Sequence, residues 1–191
     1  MDSAIELCDR QGFERTTVDQ IAAIAEVSPR TFSRYFATKD AVILALIDQV
    51  VDAVAAELAR QPSDLSDLQA LLAAHVTAFK NTTFAAPGGL TTERLLATAR
   101  IVTSSPALRQ AVSDFRADAT RIALAERMGV RCDDRRLQLV GTLWSTIIMT
   151  ALADFGPATD WENVGVEAMI ACLEETYAQF MDVIAGLRPP R

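Results

Sequence analysis

The sequence predicts an all-α protein in which an N-terminal three-helix helix-turn-helix module precedes a larger helical body, with about nine helices in total. No segment alternates convincingly between apolar and polar residues with the period of two that a half-exposed strand would show. Glycine and proline interrupt the chain at regular intervals, and the segments between them have helical patterning. These interruptions are closely spaced before Lys39 and farther apart after it, so short helices should precede long ones.

The composition is that of an acidic folded protein. The chain has 191 residues, of which 50% are hydrophobic and 23% charged, so it can bury a core unaided. A net charge of -7 lowers the expectation of nucleic-acid binding. The distribution of charge reverses that expectation locally, because Arg30, Arg34 and Lys39 stand in a segment, residues 27–39, that has no carboxylate.

Several classes of function lack their sequence signals. The three cysteines, Cys8, Cys132 and Cys172, have neither CxxC nor Cys/His spacing, so we expect buried free thiols in a reducing cytosol, no disulfide framework and no metal site. No HExxH, GxSxG or phosphate-binding loop occurs, so we expect neither an enzyme nor a bound cofactor. No secretory leader precedes the first helical pattern, so we expect a cytoplasmic protein.

Two short helices joined by a tight turn are predicted between Thr17 and Phe36. Thr17 and Gln20 have the spacing of a capping box at the start of the first helix. Ser28 followed by Pro29 places a hydroxyl cap directly before a proline at the first position of the second helix. A three-residue turn between two such helices is typical of the helix-turn-helix.

The second of these helices has distinct inner and outer faces. We expect Phe32 and Phe36 to face the core, together with Val27 from the turn. The residues left on the outer surface are Arg30, Thr31, Ser33, Arg34 and Tyr35. Arginine can bridge two acceptors of guanine, and threonine can meet a thymine methyl group, so this surface suits the major groove. The alternative interpretation is a cationic, solvated helix without a nucleic-acid partner.

Phosphate contacts call for a different set of side chains. Tyr35, Lys39 and the capping hydroxyls of Thr17 and Ser28 are suited to phosphates, where helix N-termini also contribute. Base contacts would select the operator, and phosphate contacts would set the register of the protein on the duplex.

The first 45 residues or so resemble the N-terminal signature of the TetR family of repressors. The elements that carry the resemblance are Gly12-Phe13, Thr16-Thr17-Val18-Asp19-Gln20-Ile21-Ala22, Val27-Ser28-Pro29-Arg30-Thr31-Phe32-Ser33-Arg34-Tyr35-Phe36 and Lys39. The resemblance implies a DNA-binding domain over residues 1–45 and a ligand-binding and dimerisation domain over residues 46–188. By position, the family's DNA contacts fall on Thr17, Ser28, Arg30, Thr31, Ser33, Tyr35 and Lys39.

Glu26 departs from the pattern of the family. It stands where a glycine is common in the turn, and a left-handed conformation at this residue would cost roughly 1–2 kcal/mol.

A long helix from Lys39 to about Arg60 should link the two domains, and a cavity among the helices after it is plausible. We also expect one helix from Pro106 to Met128. The candidate pocket residues are Leu71, His75, Phe79, Arg100, Phe115, Trp144 and Ile148. His75 lies on an apolar helix face, and the favoured interpretation is a hydrogen-bonded core histidine, with a ligand contact as the alternative.

The last two long helices are expected from Asp133 to Phe155 and from Trp161 to Gly186, with Asp133 and Asp160 as caps. Polar residues interrupt the first, which favours a buried helix of a soluble protein over a membrane span. It is apolar nearly all round, so pairing this hairpin with that of a second copy should form a four-helix dimer interface. A dimer would place two recognition helices about 34 Å apart and favour a near-palindromic operator.

Residues 101–109 and 138–141 look like the TetR subgroup that includes mycofactocin-system regulators, which implies an acyl-CoA-like effector. The leading hypothesis is therefore a repressor released from operator DNA by a small apolar or amphipathic molecule. Two alternatives stay open: a dimeric ligand-binding helical protein with weak or lost DNA binding, and an all-helical enzyme.

Overall fold

The computed structural model describes residues 2–86, 88–156 and 158–186, and this part of the chain holds ten α-helices and no strand. The helices are α1 Asp2–Gln11, α2 Val18–Ile24, α3 Pro29–Tyr35, α4 Lys39–Leu58, α5 Asp67–Asn81, α6 Thr92–Ser104, α7 Pro106–Ser113, α8 Asp118–Met128, α9 Arg135–Ala153 and α10 Val166–Gly186. The prediction of an all-α fold with short helices before long ones is confirmed. The predicted end of the second domain, at residue 188, lies outside the described residues.

The single helix predicted from Pro106 to Met128 is two helices. The chain leaves the helical conformation at Ala117, where ψ is 68°, and α7 and α8 are separated by the link 114–117. The prediction was wrong here because apolar residues continue through the link at helical spacing: Phe115 lines a cavity described below instead of continuing a helix face. Periodicity alone does not reveal such a break.

The predicted caps of the N-terminal helices are confirmed. Thr17 and Gln20 form a reciprocal capping box, and the Ser28 hydroxyl accepts a hydrogen bond from the Thr31 amide at 3.1 Å. These caps start α2 and α3 at defined residues, which determines the side chains that α3 presents outward.

The caps predicted for the last helices were wrong. Asp134, not Asp133, caps α9, and it accepts from the Arg136 amide at 2.7 Å. The Asp133 carboxylate instead pairs with Arg131 at 3.0 Å. Asp160 makes no side-chain cap among the described residues and precedes only a short 3₁₀ turn, so the last helix begins at Val166 and not at Trp161.

Helix α4 joins the N-terminal helices to the body. We call the three helices α1, α2 and α3 the head. Val42 belongs to the small cluster of buried residues that packs them together. Leu46 packs with residues of α1 and α6, and Val54 and Leu58 belong to the largest cluster, formed with α5, α8, α9 and α10. The predicted boundary at residue 45 falls inside this continuous helix, so the division into two domains stays a prediction.

Helix α9 is the one helix of the described residues that is long and apolar enough to cross a membrane, judged by length and composition. A single such helix is weak evidence of a membrane span, because core and interface helices pass the same test. Its buried side chains, among them Leu137 and Trp144, pack in the largest cluster, whereas Leu139 is 55% exposed and Leu143 39%. The prediction of a buried helix is therefore confirmed for one face of α9, and the other face is exposed in the single chain.

The cysteines are free, as predicted, but only Cys8 is fully buried. Burial raises the pKa of the Cys8 thiol above its usual value. Cys172 is half-buried, and burial together with a hydrogen bond to Asp154 raises its pKa to about 11. Cys132 is exposed, contrary to prediction, because it lies in the link between α8, which ends at the left-handed Gly129, and α9, and not on a buried helix face.

Candidate DNA interface and ligand cavity

The turn between α2 and α3 contains the backbone feature suspected from the sequence. Glu26 has a φ of 54°, in the left-handed region, which costs a non-glycine residue roughly 1–2 kcal/mol. The amide of Val27 donates to the Ala22 carbonyl at 3.0 Å and so closes the end of α2. This conformation allows α3 to leave the turn at Pro29 and lie across α2.

The core between α2 and α3 differs from the prediction at one residue. Phe32 is buried and packs with Ile21 and Ala22, and its ring lies 5.4 Å from that of the half-buried Phe36. Val27 is 38% exposed, so the prediction that it points into the core was wrong. The other apolar side chains already fill the space between the helices, which leaves this turn residue at the surface.

The outer face of α3 has the composition predicted for it. Arg30, Ser33, Arg34 and Tyr35 are exposed, and Tyr35 is 69% exposed despite its large ring. The Arg34 guanidinium lies 5.0 Å from the centre of this ring and donates to its hydroxyl at 3.1 Å. This contact restricts the two side chains, which reduces the entropy lost when they meet a ligand.

The remaining predicted DNA-contact residues, Thr17, Ser28, Thr31 and Lys39, differ in their exposure. Thr17 and Ser28 are exposed caps, whereas Thr31 is half-buried, with its hydroxyl 2.9 Å from that of Ser28. The half-buried Lys39 donates from Nζ to the carbonyls of Phe13 and Glu14 at 2.8 and 3.3 Å. Its ammonium group therefore holds α4 against the end of α1, a structural task that the motif did not indicate.

The body contains a partly open cavity of about 1030 Å³ between α4, α5, α6, α7, α8, α9 and α10. Six of the seven predicted pocket residues line it: Leu71, His75, Phe79, Phe115, Trp144 and Ile148. Arg100 is not among the lining residues; its guanidinium pairs with Asp9 of α1. The charged residues that do line the cavity, Arg116, Arg121 and Asp133, were missed. The break between α7 and α8, which brings Arg116 to the cavity, was not visible in the sequence.

His75 is a hydrogen-bonded core histidine that also lines the cavity. Its Nδ1–H donates to the Leu71 carbonyl at 2.8 Å, and its Nε2 accepts from the Trp144 indole N–H at 3.4 Å. Burial lowers its pKa to about 4, so the ring is neutral at neutral pH. Both nitrogens are occupied, which leaves His75 an essentially apolar surface to offer a ligand.

Three polar contacts tie the head to the body beside this cavity. Asp2 and Asp9 of α1 pair with Arg94 and Arg100 of α6, and the Ser105 hydroxyl donates to the Glu14 carboxylate at 2.7 Å. Helix α6 also lines the cavity, through Leu95, Thr98 and Ala99 among others. The same helix therefore contacts both the head and the cavity.

Comparisons with known proteins agree with this architecture. Residues 1–46 match a family described as "Bacterial regulatory proteins, tetR family". The HTH-type transcriptional regulator TcmR of Streptomyces glaucescens is 47% identical over 68 residues, which cover 36% of this chain and 30% of that protein. The match therefore spans less than a third of the relative's length.

A solved structure resembles the whole chain. FadR of Thermus thermophilus, described as a TetR family transcriptional repressor in complex with lauroyl-CoA, has a TM-score of 0.54 and 19% identity. The match covers 100% of this chain and 94% of the other. At this identity the likeness shows the fold.

Proposed function

We propose that the chain is a regulator of the TetR family, and that it is a dimeric repressor released from operator DNA by a small apolar or amphipathic effector. The outer face of α3 carries the proposal. Phe32 anchors this helix while Arg30, Arg34 and Tyr35 stand exposed in a segment without a carboxylate. An exposed helix with unopposed cations suits a major groove lined by phosphates.

The proposed contacts fall into two groups. Arg30, Thr31, Ser33 and Arg34 would contact bases, and Thr17, Ser28, Tyr35 and Lys39 would contact phosphates. Exposure supports Arg30 and Ser33 most directly. Lys39 would have one ammonium hydrogen free for a phosphate, because two carbonyls use the others.

We infer that the dimer forms through α9 and α10. Large apolar side chains are exposed on these two helices in the single chain: Leu139, Leu143, Met181, Val183 and Ile184. Burying them against a second copy removes apolar surface from water, and a four-helix interface would hold two copies of α3 about 34 Å apart. A near-palindromic operator follows from that symmetry.

Release would begin in the cavity. An effector that binds better when α6 is displaced would shift the contacts of Asp9 and Glu14 with this helix and so move the head. The division proposed here is a head of residues 1–45 and a body of residues 46–188, linked by α4. An acyl-CoA-like effector is supported by the size of the cavity and by the lauroyl-CoA bound to the structural neighbour. A regulator of this kind would act in the cytoplasm.

A mobility-shift assay on the DNA upstream of the chain's own gene tests the proposal. We expect retardation that weakens steeply with salt, a smaller shift for Arg30→Gln, and release by an effector. Arg10→Gln, which removes an exposed arginine from α1 in the same head, is the matched control and should bind as the wild type does. Absence of retardation at low salt by a folded dimer would contradict the proposal.

A second candidate is a dimeric ligand-binding protein that no longer reads DNA. The engagement of Lys39 with backbone carbonyls and the net charge of -7 favour it. It predicts normal dimerisation and ligand binding, measured by sedimentation and calorimetry, with no retardation of any sequence selected from random DNA.

A further inference from the structure

We propose that the cavity selects effectors with an apolar body and an anionic group, and that Arg116 is the residue that recognises the anion. The proposal rests on the proposed function, since it concerns the effector of the same site. Arg116 lies in the link between α7 and α8 and lines the cavity.

Four of the six hydroxyl groups around the cavity donate to helix carbonyls, and Ser113 and Ser145 have no such bond within the described part of the chain. Thr98 donates to the Arg94 carbonyl at 2.7 Å, and Thr142 donates to that of Gln138 at 2.9 Å. Thr120 donates to the Val51 carbonyl at 3.2 Å, which holds α8 against α4. With both nitrogens of His75 engaged as well, the interior offers a ligand mostly apolar contact.

Of the three charged residues that line the cavity, two already have a hydrogen-bond or ion-pair partner among the described residues and one does not. Arg121 is bonded to Asp118 at 2.9 Å and to the Cys132 carbonyl at 3.2 Å, and Asp133 is paired with Arg131. Arg116 is exposed, and within the described part of the chain its guanidinium has no hydrogen bond or ion pair. It is thus the charged lining residue whose donors are free for a ligand.

This distribution defines the chemistry of the ligand. A neutral apolar molecule would gain nothing from the exposed guanidinium, which would stay hydrated, whereas a cation would be repelled. A carboxylate, sulfonate or phosphate at one end would form charge-assisted hydrogen bonds with Arg116 while the rest of the molecule fills the space around Phe79 and Trp144. The anion would also bring the 114–117 link against the bound molecule.

Two fluorescent probes that differ by one anion test the assignment. 8-Anilinonaphthalene-1-sulfonate carries the sulfonate, and N-phenyl-1-naphthylamine lacks it. The chain has two tryptophans, so a Trp161→Phe background leaves Trp144, in the cavity wall, as the sole donor for energy transfer to the probe. Energy transfer from Trp144 reports a probe bound near the cavity wall, and the variants below localise its anion.

In this background, Arg116→Gln should weaken binding of the sulfonate about fivefold and leave the neutral probe unchanged within about twofold. Arg136→Gln, at an exposed arginine of α9 outside the cavity lining, is the matched control and should change neither affinity. Raising salt from about 0.05 M to about 0.5 M should reduce the preference for the sulfonate in the wild type but not in Arg116→Gln. Equal loss of both probes, no loss of either, or the same loss in Arg136→Gln would overturn the assignment.

The same proteins separate this inference from the proposed function. DNA retardation measured without any ligand does not depend on Arg116, so the Arg116→Gln variant should bind DNA normally. If the probes are not discriminated while DNA is bound and released, the assignment to Arg116 fails alone. If the probes are discriminated while no DNA is retarded, the proposed repressor function fails alone.

Discussion

The head and the body use their apolar residues differently. In the head, a cluster of six buried residues holds three short helices together, and the candidate functional side chains stand outside it. In the body, the largest cluster has 13 buried residues, several of which also line the cavity. The head therefore separates stability from binding, whereas the body uses the same side chains for both.

This difference determines how each region tolerates change. A core residue of the head has no neighbouring space, so its removal creates a cavity directly. A residue on the wall of the body's cavity already contacts empty volume on one side, and its removal costs fewer packing contacts. The predictions below test this contrast, in order of decreasing effect.

Replacing Phe32 should have the largest effect. Phe32→Ala should lower the free energy of unfolding of the head by about 3–5 kcal/mol and abolish DNA retardation, because a buried ring is lost from a small core. Phe79→Ala, which enlarges an existing cavity, is the matched change in the body and should cost less. Urea unfolding followed by circular dichroism at a fixed protein concentration measures both. Equal losses would contradict the contrast between the regions.

Acidification should act on the body through His75. The pKa of His75 in the folded chain is about 4, below the usual 6.5. Between pH 6.5 and pH 4, His75 is therefore protonated in the unfolded chain but neutral in the folded chain. Stability from this residue is complete above about pH 6.5 and falls by about 3 kcal/mol as pH drops towards 4. We expect the stability difference between wild type and His75→Gln to shrink over this range. A constant difference would show that His75 does not titrate differently on unfolding.

Relieving the turn should stabilise the head. Glu26→Gly should raise the free energy of unfolding by about 1 kcal/mol, because glycine adopts a φ of 54° without strain at some cost in chain entropy. Ala23→Gly, at an exposed helical position of α2, is the control and should lower stability by about 1 kcal/mol. Thermal melts of the two variants should thus move in opposite directions, and a shift of both the same way would refute the strain.

The pair between Asp9 and Arg100 should matter least for stability. Both side chains are about one-third exposed, so a double-mutant cycle with Asp9→Asn and Arg100→Gln should give a coupling energy of about 0.5 kcal/mol. We nevertheless expect these variants to need a different effector concentration for release from DNA. An unaltered concentration would remove this contact from the route between cavity and head.

The head was the more predictable region. Its caps at Thr17 and Ser28 and its buried Phe32 follow from short-range chemistry within a few residues, and the structure confirms them. Val27 was misplaced because its place in the turn, outside the cluster between the helices, and not its own polarity decides its exposure. The contact set on DNA stays a prediction, since it depends on a partner.

The body was predictable in its helices but less so in its site. Six of the seven predicted pocket residues line the cavity, because large apolar and aromatic side chains on inward faces line any cavity between helices; their contact with a ligand stays a prediction. Arg100 was expected at the cavity but pairs with α1, far along the chain. Arg116, for which no role was predicted, is brought to the cavity by the break at Ala117. The residues next to Arg100 and Arg116 in the sequence do not indicate either placement.

The sequence by itself determined the all-α fold, the helix-turn-helix with its caps and the left-handed turn residue, because hydrogen bonds and apolar periodicity within one or two turns decide these features. Only the tertiary structure decided that α7 and α8 separate, that both nitrogens of His75 are occupied, and which arginine meets the cavity. Those outcomes depend on which distant helices pack together, and packing is a property of the whole chain.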